Sequence, residues 1–317
     1  MFIKNQSQVM YRIDQSVNGS VFVNSLALSL FLLVLISVNV LHSHEFTGSS
    51  IRAFHFPDHM VPSIDGDLND WQSIDPSYCY SEDLFTDLVA DSEPDISDFR
   101  VNLCIGWNDT ENKLYVSALV VDDIHQIDRP ENTPPALIFQ DDDLEIFVDA
   151  DHSGGQFADF SDLSRDEQLA INGTEANHFI LSGPPPPNGD FFVNFSAAGW
   201  YSTPDGPFTE AAIAANNGSI TYELALTLFD RVDVGASFLS VEHDLRQGEI
   251  IGFNAEFNDF DSHSELYEAK WSLSGGHNAF RLSERFTDLE LDALAENFSK
   301  TVISVSSWAQ IKASELH

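Results

Sequence analysis

Residues Asp141–Gly155 read DDDLEIFVDADHSGG, and the alternation inside this stretch decides the fold. From Leu144 to Asp149, apolar and polar side chains alternate, the period of a strand in a sheet with two unlike faces. Three aspartates precede that strand. After it, Asp149, Asp151 and Ser153 carry oxygen-bearing side chains on alternate residues before the chain turns at Gly154 and Gly155. Calcium takes several oxygens at roughly 2.3–2.6 Å on a backbone able to curl round the ion. Asp149, Asp151 and Ser153 are therefore the candidate ligands of a structural calcium. The competing reading is an acidic strand followed by a solvated hairpin turn, because the EF-hand pattern is incomplete and no helix flanks it.

The same alternation recurs outward in both directions. Phe99–Trp107 and Lys113–Val121 read as a hairpin around the polar residues 108–112. Ile220, Tyr222, Leu224, Leu226 and Leu228 line one face of a core strand, and Phe253, Ala255 and Phe257 alternate with Asn254, Glu256 and Asn258. Further strands are expected at Ile51–Phe56, Asn177–Ser182, Asp190–Ser196, Phe208–Ala214, Ala269–Leu273 and Phe286–Leu291. The prolines at 184–187 confine their segment to a loop, since proline cannot donate to a ladder. One helical turn is expected at Ser164–Ala170, and residues 75–98 read as an acidic surface excursion. About a dozen short strands separated by turn signals predict an all-β fold, an antiparallel β-sandwich of jelly-roll type. It forms a single domain over residues 45–292, with a tail at 293–317.

Charge narrows the function. Against 51 acidic residues stand 14 basic ones, a net charge of −37, and that field repels phosphate backbones and excludes nucleic acid as a partner. Val21–Leu41 is the one membrane-scale apolar stretch, and Lys4 and Arg12 precede it. Residues 1–44 therefore read as a signal peptide or an uncleaved anchor. Either way the remainder is exported: secreted, periplasmic or anchored at the cell surface. Export permits a disulfide between Cys79 and Cys104, although Cys104 lies in an apparent strand and could equally be a small buried hydrophobe. Trp71 and Trp271 are expected in the core, whereas Trp107 and Trp200, near strand ends, are open to exposure. Asp122, Asp123, Asn258, Asp259 and Asp261 also sit at strand ends. They read as a solvated edge, with convergence on a second cation as the alternative.

Several segments, taken in order, resemble family 9 carbohydrate-binding modules and the related DOMON-like sandwich domains. They are Ile64-Asp65-Gly66 with Trp71, Leu114-Tyr115-Val116, Asp122-Asp123, Gln140-Asp141-Asp142 with Leu144–Asp149, Ile251–Asp259, Trp271-Ser272, and Phe286 with Leu289. The likeness spans roughly residues 55–292 and is more specific for the fold than for a ligand. It implies a calcium-bearing sandwich that binds poly- or oligosaccharide and is often attached to glycan-degrading enzymes. In that family two tryptophans clamp a sugar ring, while an acid, an arginine and amides bond its hydroxyls. The clamp positions correspond here to Phe139 and Phe280, the acid to Glu145, and the loop amide to Asn278 or its neighbour His277. The strand expected to carry the arginine corresponds to Asn177–Leu181 and holds none. Losing that charge-assisted donor removes about 1.5–3 kcal/mol of hydrogen bonding, so weaker binding or another ligand is expected.

These readings point to a non-catalytic carbohydrate-binding protein serving polysaccharide breakdown. The alternatives are a structural or adhesion domain with a lapsed sugar site, or a subunit of a glycoside hydrolase or haem-binding redox complex. For the enzyme reading, no carboxylate spacing singles out a hydrolytic pair and no nucleophile-elbow sequence occurs. For haem, Met60 is the only methionine beyond the N-terminal segment, and no Cys-x-x-Cys-His is present.

Overall fold

Side-chain alternation builds fifteen strands: β1 (Ile51–His55), β2 (Cys79–Ser81), β3 (Thr86–Asp87), β4 (Phe99–Asn108), β5 (Lys113–Asp122), β6 (Asp143–Asp149), β7 (Asn177–Leu181), β8 (Phe192–Asn194), β9 (Thr209–Asn216), β10 (Ser219–Leu226), β11 (Phe229–Arg231), β12 (Val241–Glu242), β13 (Ile250–Asp259), β14 (Ala269–Ser272) and β15 (Thr287–Leu291). The computed structural model describes residues 50–295 apart from 91–96, 197, 217 and 262–265. The signal or anchor expected within 1–44, and the tail beyond residue 295, lie outside the described residues.

The first sheet runs β8-β7-β6-β13, all antiparallel, and then divides. β15 pairs with the Ile250–Phe253 half of β13 and β14 with the Glu256–Asp259 half. The second sheet runs β4-β5-β10-β9, with β2 beside β4. β1 joins the two. Its first half pairs in parallel with β15, and Phe54 and His55 then pair in parallel with β4. The sandwich is thus antiparallel except at this one strand, which changes sheets.

The period-2 pattern assigns the faces. Leu144, Ile146 and Val148 of β6 and Phe253, Ala255 and Phe257 of β13 join Val116 and Ala118 of β5 and Leu224 of β10 in one core between the layers. Their alternates, Asp143, Glu145, Asn254, Glu256 and Asn258, lie on the outer face of the first sheet, yet all are buried. Polar side chains removed from water need partners, so this face is where function is to be sought.

Local signals read in the sequence reappear. The expected helical turn is α1 (Arg165–Ile171), begun by a capping box in which Ser164 and Glu167 bond each other's backbone amides. Residues 75–98 are more than a surface excursion: β2 and β3 join the sheets, and Tyr80, Phe85 and Asp87 are buried. Cys79 and Cys104 stand directly opposite each other on β2 and β4 and form a disulfide. Trp71 and Trp271 are buried as expected, and Trp71 Nε1 donates to Glu223 at 2.9 Å. Trp107 is buried too, because its indole N–H reaches the Asp292 carbonyl at 3.1 Å; Trp200 is half-buried against Phe208 and Phe229.

Candidate functional site

A cleft of about 880 Å³ opens on the outer face of the first sheet. Glu145 of β6, Glu256 of β13, Lys270 of β14 and His178 of β7 line it. Strand register sets Glu145 directly opposite Glu256, an arrangement that repulsion disfavours. Lys270 resolves it. Its Nζ lies 3.0 Å from Glu145 Oε2 and 2.8 Å from Glu256 Oε2, and it donates to Asn258 Oδ1 at 2.9 Å.

Amides and hydroxyls occupy the remaining acceptors. Asn258 Nδ2 donates to Glu145 Oε1 at 2.9 Å and to Asp143 Oδ1 at 2.9 Å. Asn254 Nδ2 and Ser272 Oγ each donate to Glu256 Oε1 at 3.0 Å. His178 Nε2 approaches Glu145 Oε2 at 3.4 Å, and its ring stacks on Phe147 and on Phe195 with centroids 4.1 and 5.1 Å away. Burial by itself pushes the Glu145 carboxyl up, but Lys270 and His178 outweigh it and hold the group below its usual range. Burial likewise pulls Lys270 down, and Glu145 and Glu256 reverse that, holding it above its usual value. The floor therefore presents a fixed carboxylate and a fixed ammonium at neutral pH. Asp143 is pushed well up by burial and by Glu145 beside it.

Two loops supply the aromatic lining. Phe139, half-buried within the 3₁₀ segment Pro135–Gln140, meets Phe195 edge-on at 6.2 Å. Phe280, 44% exposed, lies at the edge of the cleft. His277 and Asn278 on the same loop are also exposed. Asn278 adopts a φ of 68°, and its carbonyl accepts the Arg281 and Leu282 amides at 3.1 Å each, which closes the loop.

All five sugar-site residues expected from the sequence, Phe139, Glu145, His277, Asn278 and Phe280, line this one cleft. The cation does not come from the strand expected to carry it. β7 contributes His178, and Lys270 arrives from β14. The signal for Lys270 was present: it stands between Ala269 and the core residue Trp271, so alternation places it on the outer face, and the chain has only 14 basic residues to use. Glu256 and Asn258 carried the same mark of alternation with Phe253, Ala255 and Phe257 but were not assigned to the site, and His178 carried none.

The turn after β6 is closed by its own amides. Asp149, fully buried, accepts from Ser153 N at 3.3 Å and from Gly154 N at 2.7 Å, and Asp151 accepts from Ser153 N at 3.2 Å. The predicted calcium ligands are thus adjacent, and burial with Asp149 alongside pushes the Asp151 carboxyl up. Hard carboxylate oxygens suit calcium. Asp149 and Asp151 would hold it through their carboxylate oxygens, whereas the Ser153 N–H donates to both of them and ties the turn together. At the other end of β6 the solvated-edge expectation fails for Asn258 and Asp259, which are buried; Asn258 lies on the outer face, bonded to Asp143, Glu145 and Lys270.

In this chain one outer face carries an aromatic-lined polar cleft, and the two-sheet sandwich itself is the fold of family 9 carbohydrate-binding modules. Two solved structures share it. A family 9 carbohydrate-binding module from Caldicellulosiruptor kristjanssonii in complex with cellotriose matches at a TM-score of 0.52 and 16% identity, over 78% of this chain and 96% of that one. The module in complex with glucose matches at 0.51 and 16%, over 78% and 97%. The sequence matches no protein-family model and no curated protein, so the likeness lies in the fold.

Proposed function

We propose that this chain is an exported, non-catalytic carbohydrate-binding protein that takes a neutral oligosaccharide in the cleft and serves polysaccharide breakdown beside glycan-degrading enzymes. One observation carries the reading: the five residues assigned to sugar binding on sequence grounds lie around a single cleft, on the fold whose solved examples hold cellotriose and glucose. Phe139 and Phe280 would pack on the C–H faces of sugar rings. Glu145, Lys270, His277 and Asn278 would meet the hydroxyls, with Lys270 taking the place of the missing arginine as the charged donor.

Catalysis fits the floor poorly. A glycosidase needs one carboxyl with a raised pKa to protonate the leaving group, whereas Lys270 holds Glu145 ionised and is shared with Glu256. Calcium belongs to the proposal as an auxiliary structural ion at the Asp149–Ser153 turn. The test is a calorimetric titration of the full chain with glucose, cellotriose and an array of neutral glycans. Saturable binding that weakens at least about tenfold (~1.4 kcal/mol) in Phe139→Ala is expected. No binding to any glycan by a folded sample would sink the proposal in favour of a structural or adhesion domain.

A further inference from the structure

The outer face of the second sheet is covered along one side only. There Trp71 and Ile74, from the segment leading to β2, form a small second core with Phe56, Tyr115 and Ala225. Where that cover stops, a groove of about 780 Å³ opens across the strands. Strand register fixes its floor. Ser81, Asn102, Leu119, Thr221 and Ala214 stand directly opposite one another along β2, β4, β5, β10 and β9, and Ser117 lies in the next row, opposite Cys104. Their alternates, among them Leu103, Ala118, Val120 and Tyr222, are in the core, so these short side chains face outward. One wall is the turn at Asp65–Asp67 with the 3₁₀ segment Leu68–Ser73, and it is tied to the floor. Glu223 accepts the Asp65 and Gly66 amides at 3.0 and 2.6 Å, and Thr221 Oγ1 donates to the Gly66 carbonyl at 2.7 Å. The groove is thus preformed, as ligand sites usually are.

Polar surface alone would mean little; the partners of Ser117 carry the argument. Ser117 is 1% exposed and lines the groove, yet its hydroxyl bonds no group of the chain. Its buried neighbours on the same face, Thr221 and Glu223, are fully engaged. A hydroxyl taken from water without a partner is unfavourable, and a ligand hydroxyl would complete it. Asn102 lies diagonally across β4 and β5 from Ser117. It is exposed, and its amide has only the Cys104 sulfur, a weak acceptor, at 3.6 Å. Beside them Leu119 is 37% exposed and gives the floor an apolar centre.

Charge and topology then select the ligand. Among the described residues no lysine, arginine or histidine lines the groove, whereas Asp65 and Asp67 do, on a chain of net charge −37. Phosphate, sulfate and carboxylate ligands are therefore repelled. Asp65 and Asp67 already accept amides within their own turn, so they do not call for a cation. β4, β5 and β10 are paired on both sides, which leaves no edge for a peptide backbone to join. What fits is a neutral molecule dense in hydroxyls. We propose that this groove is a second saccharide site, taking a neutral glycan chain through hydrogen bonds to Ser117 and Asn102 with a sugar C–H face over Leu119. It lies on the opposite outer face from the cleft, with both sheets between them, so one short oligosaccharide cannot fill both. Its ligand class is read from its own residues and does not rest on the assignment of the cleft.

The experiment titrates the full chain by calorimetry with cellotriose, xylotriose and mannotriose, and with trigalacturonate as the acidic comparison. At least one neutral trimer is expected to bind with two equivalents per chain. Asn102→Ala should weaken one equivalent about tenfold or more and Ser117→Ala the same equivalent about threefold or more, while Phe280→Ala acts on the other alone. Asn102 is exposed, so its variant tests the groove even if the buried Ser117 tolerates no change. Ser117→Ala should melt no lower than wild type, because the lost hydroxyl bonds nothing in the chain; a lower melt would give that hydroxyl to the fold and overturn its role here. If neither groove variant weakens any equivalent, the proposal is overturned whatever Phe280→Ala does. If they weaken a single observed equivalent that Phe280→Ala leaves intact, the groove stands and the cleft reading falls. The groove is also overturned if no neutral trimer binds, or if trigalacturonate binds it more tightly than they do.

Discussion

The cleft floor and the strand-end cluster are made from neighbouring residues of the same two strands and are opposite in character. Asn258 and Asp259 are consecutive, as are Asp142 and Asp143. One of each pair points to the outer face and the other does not. On the outer face, Asp143, Glu145 and Glu256 meet Lys270 and a set of amides and hydroxyls, so the protein satisfies its own charges. At the strand end, Asp259 meets only other acids, and burial followed by Asp122 pushes its carboxyl up to about 8. Buried carboxylates stand in both places. What differs is whether a neighbouring strand supplies a donor, and that separates a floor whose charges are paired from a strand end where burial raises the carboxyl.

The largest effect should come from making the floor resemble the strand end. Lys270→Met leaves Glu145 and Glu256 buried, opposed and without their shared cation. Breaking a buried pair by removing one member costs about 3–5 kcal/mol, to be read from the denaturant midpoint. A loss below about 1 kcal/mol would mean that the two glutamates are compensated by something else. Next in size is the turn. Asp149→Ala removes the acceptor for the Ser153 and Gly154 amides, an expected loss of about 1.5–3 kcal/mol. With calcium held at this turn, the loss should be larger in calcium than in chelator, where only the amide bonds are lost. An equal loss in both would show that the turn holds no ion.

A smaller effect, on the order of 1–2 kcal/mol, concerns acid. Glu145 has its folded pKa held below the ordinary 4.5, since Lys270 and His178 overcome the rise from burial. A group depressed in the folded state contributes stability above its unfolded pKa and loses it as pH falls through the folded one. Wild type should therefore lose stability below about pH 4.5 more steeply than Glu145→Gln, measured as the difference between their pH–stability curves. Parallel curves would show that Lys270 does not act on Glu145 in solution.

Much of this was legible in the chain, and the misses have a common cause. Alternation in Leu144–Asp149 and Ile250–Asp259 marks inner and outer faces without reference to anything distant, so the sandwich and the outer position of Glu145 follow from local periods. The disulfide, left open by the sequence, depends on the register of β2 against β4. Lys270 joins Glu145 across 125 positions, and Asp259 meets Asp122 across the gap between the sheets. No local pattern encodes either meeting. The short strands β2 and β3 were hidden for a related reason: at three and two residues they are too short for alternation to show, and they exist only because β4 and β14 offer them edges.

The smallest effect on stability should accompany a large effect on binding, at Phe280. Its ring is 44% exposed, with the Arg281 guanidinium 5.8 Å from it, so Phe280→Ala removes little packing and should shift stability by no more than about 0.5 kcal/mol. Phe139 is different, because it is half-buried against Phe195 and its removal would disturb the cleft wall as well as any ligand. Phe280 is therefore the cleaner test of the clamp. If it packs on a sugar, Phe280→Ala should lower affinity about tenfold or more, equivalent to ~1.4 kcal/mol, with an unchanged melt. Full retained affinity would move the sugar away from this loop and onto the Glu145–Lys270 floor alone, where polar contacts without an aromatic platform would have to hold it.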